Sequence, residues 1–285
     1  MLTRQSIWCV RLLVLFGVAW FGENAVAQSN DNYPAAHRED FEIEGHRAFI
    51  IRPPGEKKIE RPFRWVWYAP ALGKRLPGSA EKWLFERFHR SGIAIAGVDV
   101  GESYGSPRGR ATYQALYEEL TANRGFNEKP VLLARSRGGL MLYNWAVEHP
   151  RCVGGIVGIY PVCNLTSYPG LARASKAYEM TAAQLESKLI EHNPIDRLDS
   201  LAQSKVPIYH IHGDKDETVP LESNSLELAK RYAALGGPVK LEVIPNQGHN
   251  MWKGWFESEE LAEFAIAWAW GRERPMRQDS GQPNH

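Results

Sequence analysis

The residues best equipped for chemistry lie in three separate stretches. "PVLLARSRGGLMLYNW" places Ser136 after an apolar run, between Arg135 and Arg137 and before Gly138 and Gly139. "IHGDKDETVP" offers Asp214, Asp216 and Glu217 after a second apolar run, and "VIPNQGHNMW" offers His249 after a third. A serine hydroxyl is a weak nucleophile at neutral pH. It needs a base to take its proton and an acid to orient that base. Brought together, these residue types can perform acyl transfer: attack on a carbonyl carbon, a covalent acyl-enzyme, and release by water.

Each group alone has an ordinary reading. Ser136 fits a polar strand-to-helix loop, Asp216 a turn and His249 a loop. Their order argues for more. Ser, Asp/Glu, His, each just after a strand-like run, is the order that accompanies a nucleophile elbow, written G-x-S-x-G. Here the five residues are Ala134, Arg135, Ser136, Arg137 and Gly138. That turn is so tight that the side chains two before and two after the serine face each other. Gly138 leaves the space free and Ala134 nearly does. The helix start behind the serine supplies N–H groups and a positive dipole end. Among the acids Asp216 is preferred. Asp214, nearer the strand, suits a local cap or pair, and Glu217 is the second choice.

The elements that must position these groups follow an alternating pattern. "FEIEGHRAFIIRPP" alternates around a glycine, as an antiparallel hairpin does. Strands are expected at "RWVWYAP", "IAIAGVDV", "PVLLA", "VGGIVGIYPV", "VPIYHIHG" and "KLEVIP". Between them lie helical patterns: "SAEKWLFERFHRSG" with a Ser N-cap and a Gly stop, a stretch with Tyr113, Leu116, Tyr117 and Leu120 on one face, and "GLMLYNWAVEH". Two more carry Leu228, Tyr232 and Leu235, and Leu261, Phe264, Ala265 and Trp268. Continuous apolar strands alternating with helices give an α/β fold, a mostly parallel sheet with helices on both faces. Ligands in such sheets bind beyond the C-terminal ends of the strands, where Ser136, Asp216 and His249 all fall. Residues 163–197 break the alternation and read as a lid-like insertion of short helical pieces. No internal repeat is visible.

The chain resembles the α/β-hydrolase superfamily over nearly its whole length after the expected signal, in "ARSRGG", "HGDKDETVP" and the Gly-His pair at 248–249. "NPIDRL" at 193–198 is similar to the secreted esterase-like and prolyl-oligopeptidase-like branch. The resemblance implies an eight-stranded α/β-hydrolase sheet with a Ser136–His249–Asp216 triad. In that scheme the Arg137 N–H is one oxyanion donor. The other comes from the loop after "WVWYA", where Pro70 has no N–H and Ala71 is the candidate. Many relatives show His-Gly there; this chain shows "APALG".

Substrate contacts are expected from Arg137, Tyr104 and Trp252. Arg137 can hydrogen-bond an oxyanion or a substrate carboxylate, and its position is similar to the Ser-Arg pair of glucuronoyl esterases; its ordinary reading is a surface salt bridge. Arg135 points the other way and reads as scaffold. Tyr104, Trp252 and Trp255 sit in loops at strand ends and could form a platform for a sugar ring or an aromatic acyl group. Trp67, Trp145 and Trp268 fall within strand or helix patterns and read as core.

Residues 1–27 carry Arg4 and Arg11, the apolar run "LLVLFGVAWF" and an Ala-x-Ala ending at Ala27, the pattern of a cleaved export signal. Ten apolar residues are too few for a span needing roughly 20, so the expectation is a secreted or periplasmic protein with no stable membrane association after cleavage. A hydrolase domain over 28–271 and a disordered tail at 272–285 complete the organisation. A net charge of +1 gives nucleic acid no basic face to grip. Cys152 and Cys163, at opposite ends of one strand-like run, are too far apart along a strand to pair. No metal-ligand cluster or phosphate loop is visible, so no cofactor is expected.

The reading that results is an exported serine hydrolase cleaving carboxylic esters, with a small-molecule or carbohydrate ester as substrate. The alternatives are a serine peptidase of the prolyl-oligopeptidase type and a non-catalytic binding protein on the same scaffold. The peptidases usually carry a large N-terminal propeller, which the short stretch ahead of the first strands does not provide. Binding alone needs none of the three triad groups. Haloalkane- and epoxide-type hydrolases use an aspartate nucleophile, which this elbow lacks.

Overall fold

Eight segments pair into one sheet in the computed structural model, which describes residues 37–54, 62–73 and 75–272. The expected export signal (1–27) and the tail beyond Arg272 lie outside the described residues. β1 (Arg38–Ile43) and β2 (His46–Ile51) form the antiparallel hairpin. Glu44 and Gly45 join them, both with positive φ, which matches the twist of the paired strands. β3 (Trp65–Ala69), β4 (Ala94–Val98), β5 (Val131–Arg135), β6 (Gly155–Ile159), β7 (Ile208–Gly213) and β8 (Val239–Ile244) run parallel. The order across the sheet is β1-β2-β4-β3-β5-β6-β7-β8. This is the eight-stranded, mostly parallel sheet of the α/β-hydrolase fold.

The strands alternate their side chains between two cores. Trp67, Leu132, Ala134, Ile156 and Ile208 face α2 (Pro107–Glu118), α3 (Gly138–Glu148) and α8 (Ser225–Ala234). Val66, Tyr68, Leu133, Val157 and Ile211 face α1 (Lys82–Arg90) and α9 (Glu259–Ala269). Trp67 and Trp145 are fully buried; Trp67 stacks on Tyr113 and packs tilted against Trp145, while Trp268 is partly buried against the α9 side. One capping detail differs from expectation. Ser79 lies inside a short 3-10 turn, and the Glu81 carboxylate instead accepts the Gly78 N–H at 2.9 Å.

The insertion contains α4 (Leu171–Ala174), α5 (Ala182–Ser187) and α6 (Leu189–His192), α7 (Asp199–Gln203) follows it, and none of residues 163–197 forms a strand. Leu165, Ala174, Tyr178 and Leu185 pack with Tyr104 after β4, Leu140 of α3 and Val219 after β7. The insertion therefore lies over the C-terminal ends of the strands. Asn224 fastens it there, and Asn193 ties it internally. Asn224 Oδ1 accepts the N–H groups of Cys163 (3.0 Å) and Asn164 (3.2 Å), and Asn193 Oδ1 accepts that of Leu165 (2.9 Å). Both Cys152 and Cys163 are free thiols. Among the described residues no helix is long and apolar enough to cross a membrane.

The end of β5 is anchored by a buried polar knot. Arg135 pairs with Glu81, whose Oε1 also accepts the Tyr68 hydroxyl at 2.8 Å. The Arg135 guanidinium lies over the Phe256 ring, 4.9 Å from its centroid. Glu81 is 1% exposed and Arg135 12%, so removing one partner leaves a buried charge without its counter-ion. Glu81→Ala is expected to lower the unfolding free energy by about 3 kcal/mol. Urea unfolding should show a lower midpoint at unchanged slope; an unchanged midpoint would show that the pair does not hold the strand end.

Candidate active site

Ser136 leaves β5 with φ of 48°, a left-handed conformation that is unusual for a residue with a Cβ. Three backbone hydrogen bonds fix it. Its N–H donates to Ile159 O at 3.0 Å, and its carbonyl accepts from Gly139 (2.9 Å) and Val162 (2.8 Å). A Cβ on Gly138 would overlap the Ala69 carbonyl, and one on Gly139 would overlap that of Val162. Both glycines are thus required by close backbone approach, whereas Ala134 fits as a fully buried methyl.

The other two groups arrive from the exits of β7 and β8. Those exits are stitched together: Lys215 N–H donates to Gln247 O at 2.9 Å, and the Asp214 carboxylate accepts the Asn246 N–H at 2.6 Å. Asp214 thus serves the backbone, and Glu217 is exposed. Asp216 is buried. Its Oδ1 accepts from the N–H groups of Thr218 (3.0 Å) and Val219 (2.8 Å). Its Oδ2 lies 2.8 Å from His249 Nδ1, and His249 Nε2 lies 2.9 Å from Ser136 Oγ. The structure therefore brings Ser136, His249 and Asp216 into one continuous hydrogen-bonded line. Burial alone would push the Asp216 carboxyl up. Hydrogen bonds from His212, His249 and the Val219 N–H outweigh it and hold the group well below the usual carboxylate range.

The geometry suits transfer of the Ser136 proton to His249 Nε2. Asp216 then fixes the imidazole with its Nδ1–H toward the carboxylate and faces the positive charge that develops. Two backbone N–H groups are the candidates to receive a carbonyl oxygen as it gains charge. Arg137 is the N-cap of α3, and Ala69 pairs with Ala134 in the sheet. Two residues further on, the neighbouring chains reach Ala71 and Ser136. Neither the Arg137 nor the Ala71 N–H has an acceptor among the described residues.

The surrounding side chains divide differently from expectation. Trp255 is fully buried, its Nε1–H donating to Asn250 Oδ1 at 2.9 Å, so it belongs to the core and not to a platform. Its ring meets Tyr160 edge-on, and Tyr160 in turn covers the His249 ring at 4.4 Å between centroids. Tyr104 is 7% exposed, and the insertion clamps it: Tyr178 Oη–H donates to its carbonyl at 2.8 Å. Trp252 is the exposed aromatic, at 41%, and stands edge-on against Trp255. The Arg137 side chain pairs with Glu102, and both remain partly exposed.

Sequence reading missed Tyr160, Glu102 and a set of buried polar groups behind the acid loop. Tyr160 follows the end of β6, a position the strand-end rule could have flagged. His210 and His212 stand two apart in an otherwise apolar strand, which puts both on one face. Both are buried, and both lie close to Ser225 Oγ, at 3.0 and 2.8 Å through their Nδ1 atoms. Burial pulls the His210 imidazole down to about 3. No group of three or more His, Cys, Asp or Glu among the described residues is arranged to hold a metal ion.

A model of the prolyl oligopeptidase family matches residues 114–272, more than half of the chain and all three of these groups. Among curated proteins none matches. Of solved structures, a Mycobacterium tuberculosis puromycin-hydrolyzing peptidase is similar at a TM-score of 0.64 and 16% identity, over 82% of this chain and 39% of that one. Porphyromonas gingivalis dipeptidyl peptidase 4 is similar at 0.64 and 14%, over 80% and 35%. An S-formylglutathione hydrolase from Agrobacterium tumefaciens is similar at 0.63 and 14%, over 81% and 93%. At such identities the likeness concerns the fold. The chain spans well under half the length of the two peptidases.

The buried groups set a pH dependence of stability. An unfolded histidine binds a proton below about pH 6.5, while folded His210 stays neutral until about 3. Between those values the unfolded chain holds more protons, so stability falls on acidification by at most about 1.4 kcal/mol per pH unit from this group. Asp216 adds to the loss below about pH 4, where an unfolded aspartate is protonated and the folded one is not. Urea unfolding from pH 7.5 to 4.5 should show this slope, and His210→Gln should make it shallower; an equal slope in the variant would remove His210 as its cause.

Proposed function

The chain belongs to the prolyl oligopeptidase family and is a serine hydrolase of the α/β-hydrolase type, and from that premise we propose that it cleaves carboxylic esters through an acyl-enzyme on Ser136. The observation that carries this reading is the line Ser136 Oγ–His249 Nε2–Asp216 Oδ2, at 2.9 and 2.8 Å. His249 takes the Ser136 proton as Oγ attacks the carbonyl carbon. The oxyanion receives the Arg137 and Ala71 N–H groups. His249 then returns the proton to the leaving oxygen, and a water attacks the acyl-enzyme with His249 again as base.

A carbohydrate ester suits the rim of this site. The exposed face of Trp252 lies three residues beyond His249 and can stack on a sugar ring. Arg137 stands beside the nucleophile, held by Glu102. An exposed ion pair contributes only about 0–1 kcal/mol, so a substrate carboxylate can displace Glu102 at little cost. Export is part of the same proposal and is supported by the charged start, apolar run and Ala-x-Ala of residues 1–27. Family membership favours a second reading, cleavage of peptide amides by the same three groups.

A fluorophosphonate probe should label the wild type and fail to label Ser136→Ala, and His249→Ala should lose about a thousandfold or more in kcat. A p-nitrophenyl ester should be cleaved with higher kcat/KM than a peptidyl p-nitroanilide. Amide cleavage outrunning ester cleavage moves the assignment to the peptidase. Arg137→Ala should weaken hydrolysis of methyl-uronate or uronate-bearing esters more than that of neutral esters; a uniform drop would leave the side chain no role in reading charge.

A further inference from the structure

Behind the acid loop runs a buried chain of four polar side chains. Tyr143 of α3 lies with its Oη 2.7 Å from His210 Nε2. His210 Nδ1 is 3.0 Å from Ser225 Oγ, and Ser225 Oγ is 2.8 Å from His212 Nδ1. His212 Nε2 is 2.9 Å from Val219 O and 3.4 Å from Asp216 Oδ2. Tyr143, His210, Ser225 and His212 are all essentially without solvent contact. On β6, Gly158 makes room for the His210 ring, which a Cβ there would strike.

The direction of every bond follows from the first. The Tyr143 hydroxyl is buried and has no other acceptor among the described residues, so its proton must go to His210 Nε2. His210, kept neutral by its burial, then carries its own proton on Nδ1 and donates it to Ser225 Oγ. The Ser225 hydroxyl donates onward to His212 Nδ1. That makes His212 a neutral imidazole with its proton on Nε2, aimed at the Val219 carbonyl and the Asp216 carboxylate. Val219 is held from both sides, because its own N–H donates to Asp216 Oδ1 at 2.8 Å.

We infer that His212 and Ser225 are positioning residues for the reaction: through a one-way hydrogen-bond chain from Tyr143 they lock the His212 tautomer that clamps Val219 and Asp216, and so keep the Asp216 carboxylate in line with His249. None of them touches the reacting atoms. The inference rests on the reading of Ser136, His249 and Asp216 as the catalytic groups. Its specific content is that a donor at the Nε2 position of His212 is needed, and not merely bulk at that place.

The test uses the full chain with p-nitrophenyl acetate and the fluorophosphonate probe. His212→Leu removes the donor and keeps most of the volume. It should lower kcat by about tenfold or more, since small misplacements of catalytic groups cost this much, and leave KM nearly unchanged. His212→Gln returns an amide N–H near the lost Nε2–H and should recover most of the rate. Ser225→Ala, a small change that tests the chain even where His212→Leu does not fold, should lower kcat in the same direction. The downfield proton resonance of His249 Nδ1–H should persist in wild type and His212→Gln and broaden or vanish in His212→Leu. Wild-type kcat in Ser225→Ala and His212→Leu, or an equal loss in His212→Leu and His212→Gln, overturns the inference alone. Absence of probe labelling on wild-type Ser136 overturns the catalytic reading and the inference with it.

Discussion

The turn at Ser136 is the constraint on which the rest depends. Holding a residue with a Cβ in the left-handed region costs about 1–3 kcal/mol, and the surroundings must supply that continuously. They do so by crowding. The carbonyls of Ala69 and Val162 approach so closely that only glycine fits at 138 and 139. Those approaches require β3 on one side of β5 and β6 on the other, as the sheet order gives. Once β5 is central, the exits of β6, β7 and β8 follow in sequence on one side. Tyr160, Asp216 and His249 then reach the serine from that side in turn.

Much of this was legible because it rests on patterns with short reach. Apolar runs of five or six residues bounded by Gly and Pro located the strands, and the strand-end rule brought Ser136, Asp216 and His249 to one edge. What stayed hidden depends on partners distant in the chain. Glu81 looks like a helix-start acid, and only the fold reveals Arg135, 54 residues away, against it. Trp255 looks like its neighbour Trp252, yet one faces Tyr160 in the core and the other solvent. Loop composition does not distinguish them, since the two are set apart by the turn at 253–255. Histidines 210 and 212 interrupt an otherwise apolar strand, but the residues that complete their polar site, Tyr143 and Ser225, come from two different helices.

The two faces of the sheet solve different problems. On the α1 and α9 side, the buried Glu81–Arg135 pair sits beside the apolar core, and it fixes the strand that ends just before Ser136. On the α3 and α8 side, the groups of the Tyr143–His210–Ser225–His212 chain are neutral, and each donor finds an acceptor in turn. A buried polar group without a partner costs about 1–3 kcal/mol, so a chain of this kind is stable only when complete and only with its protons in one order. The order is an asset beside a carboxylate. A neutral donor can steer Asp216 without neutralising it, whereas a buried cation there would compete with His249 for its charge.

The two arginines flanking Ser136 show the same division between fixed and exchangeable polarity. They stand two apart across the turn and diverge. Arg135 goes inward to a buried glutamate and lies on Phe256, where leaving its partner would strand a charge. Arg137 goes outward to Glu102, where solvent reaches both members and separation is inexpensive. The same residue type therefore serves as scaffold on one side of the nucleophile and as an adjustable charge on the other. Burial, which the flanking sequence alone does not reveal, decides which is which.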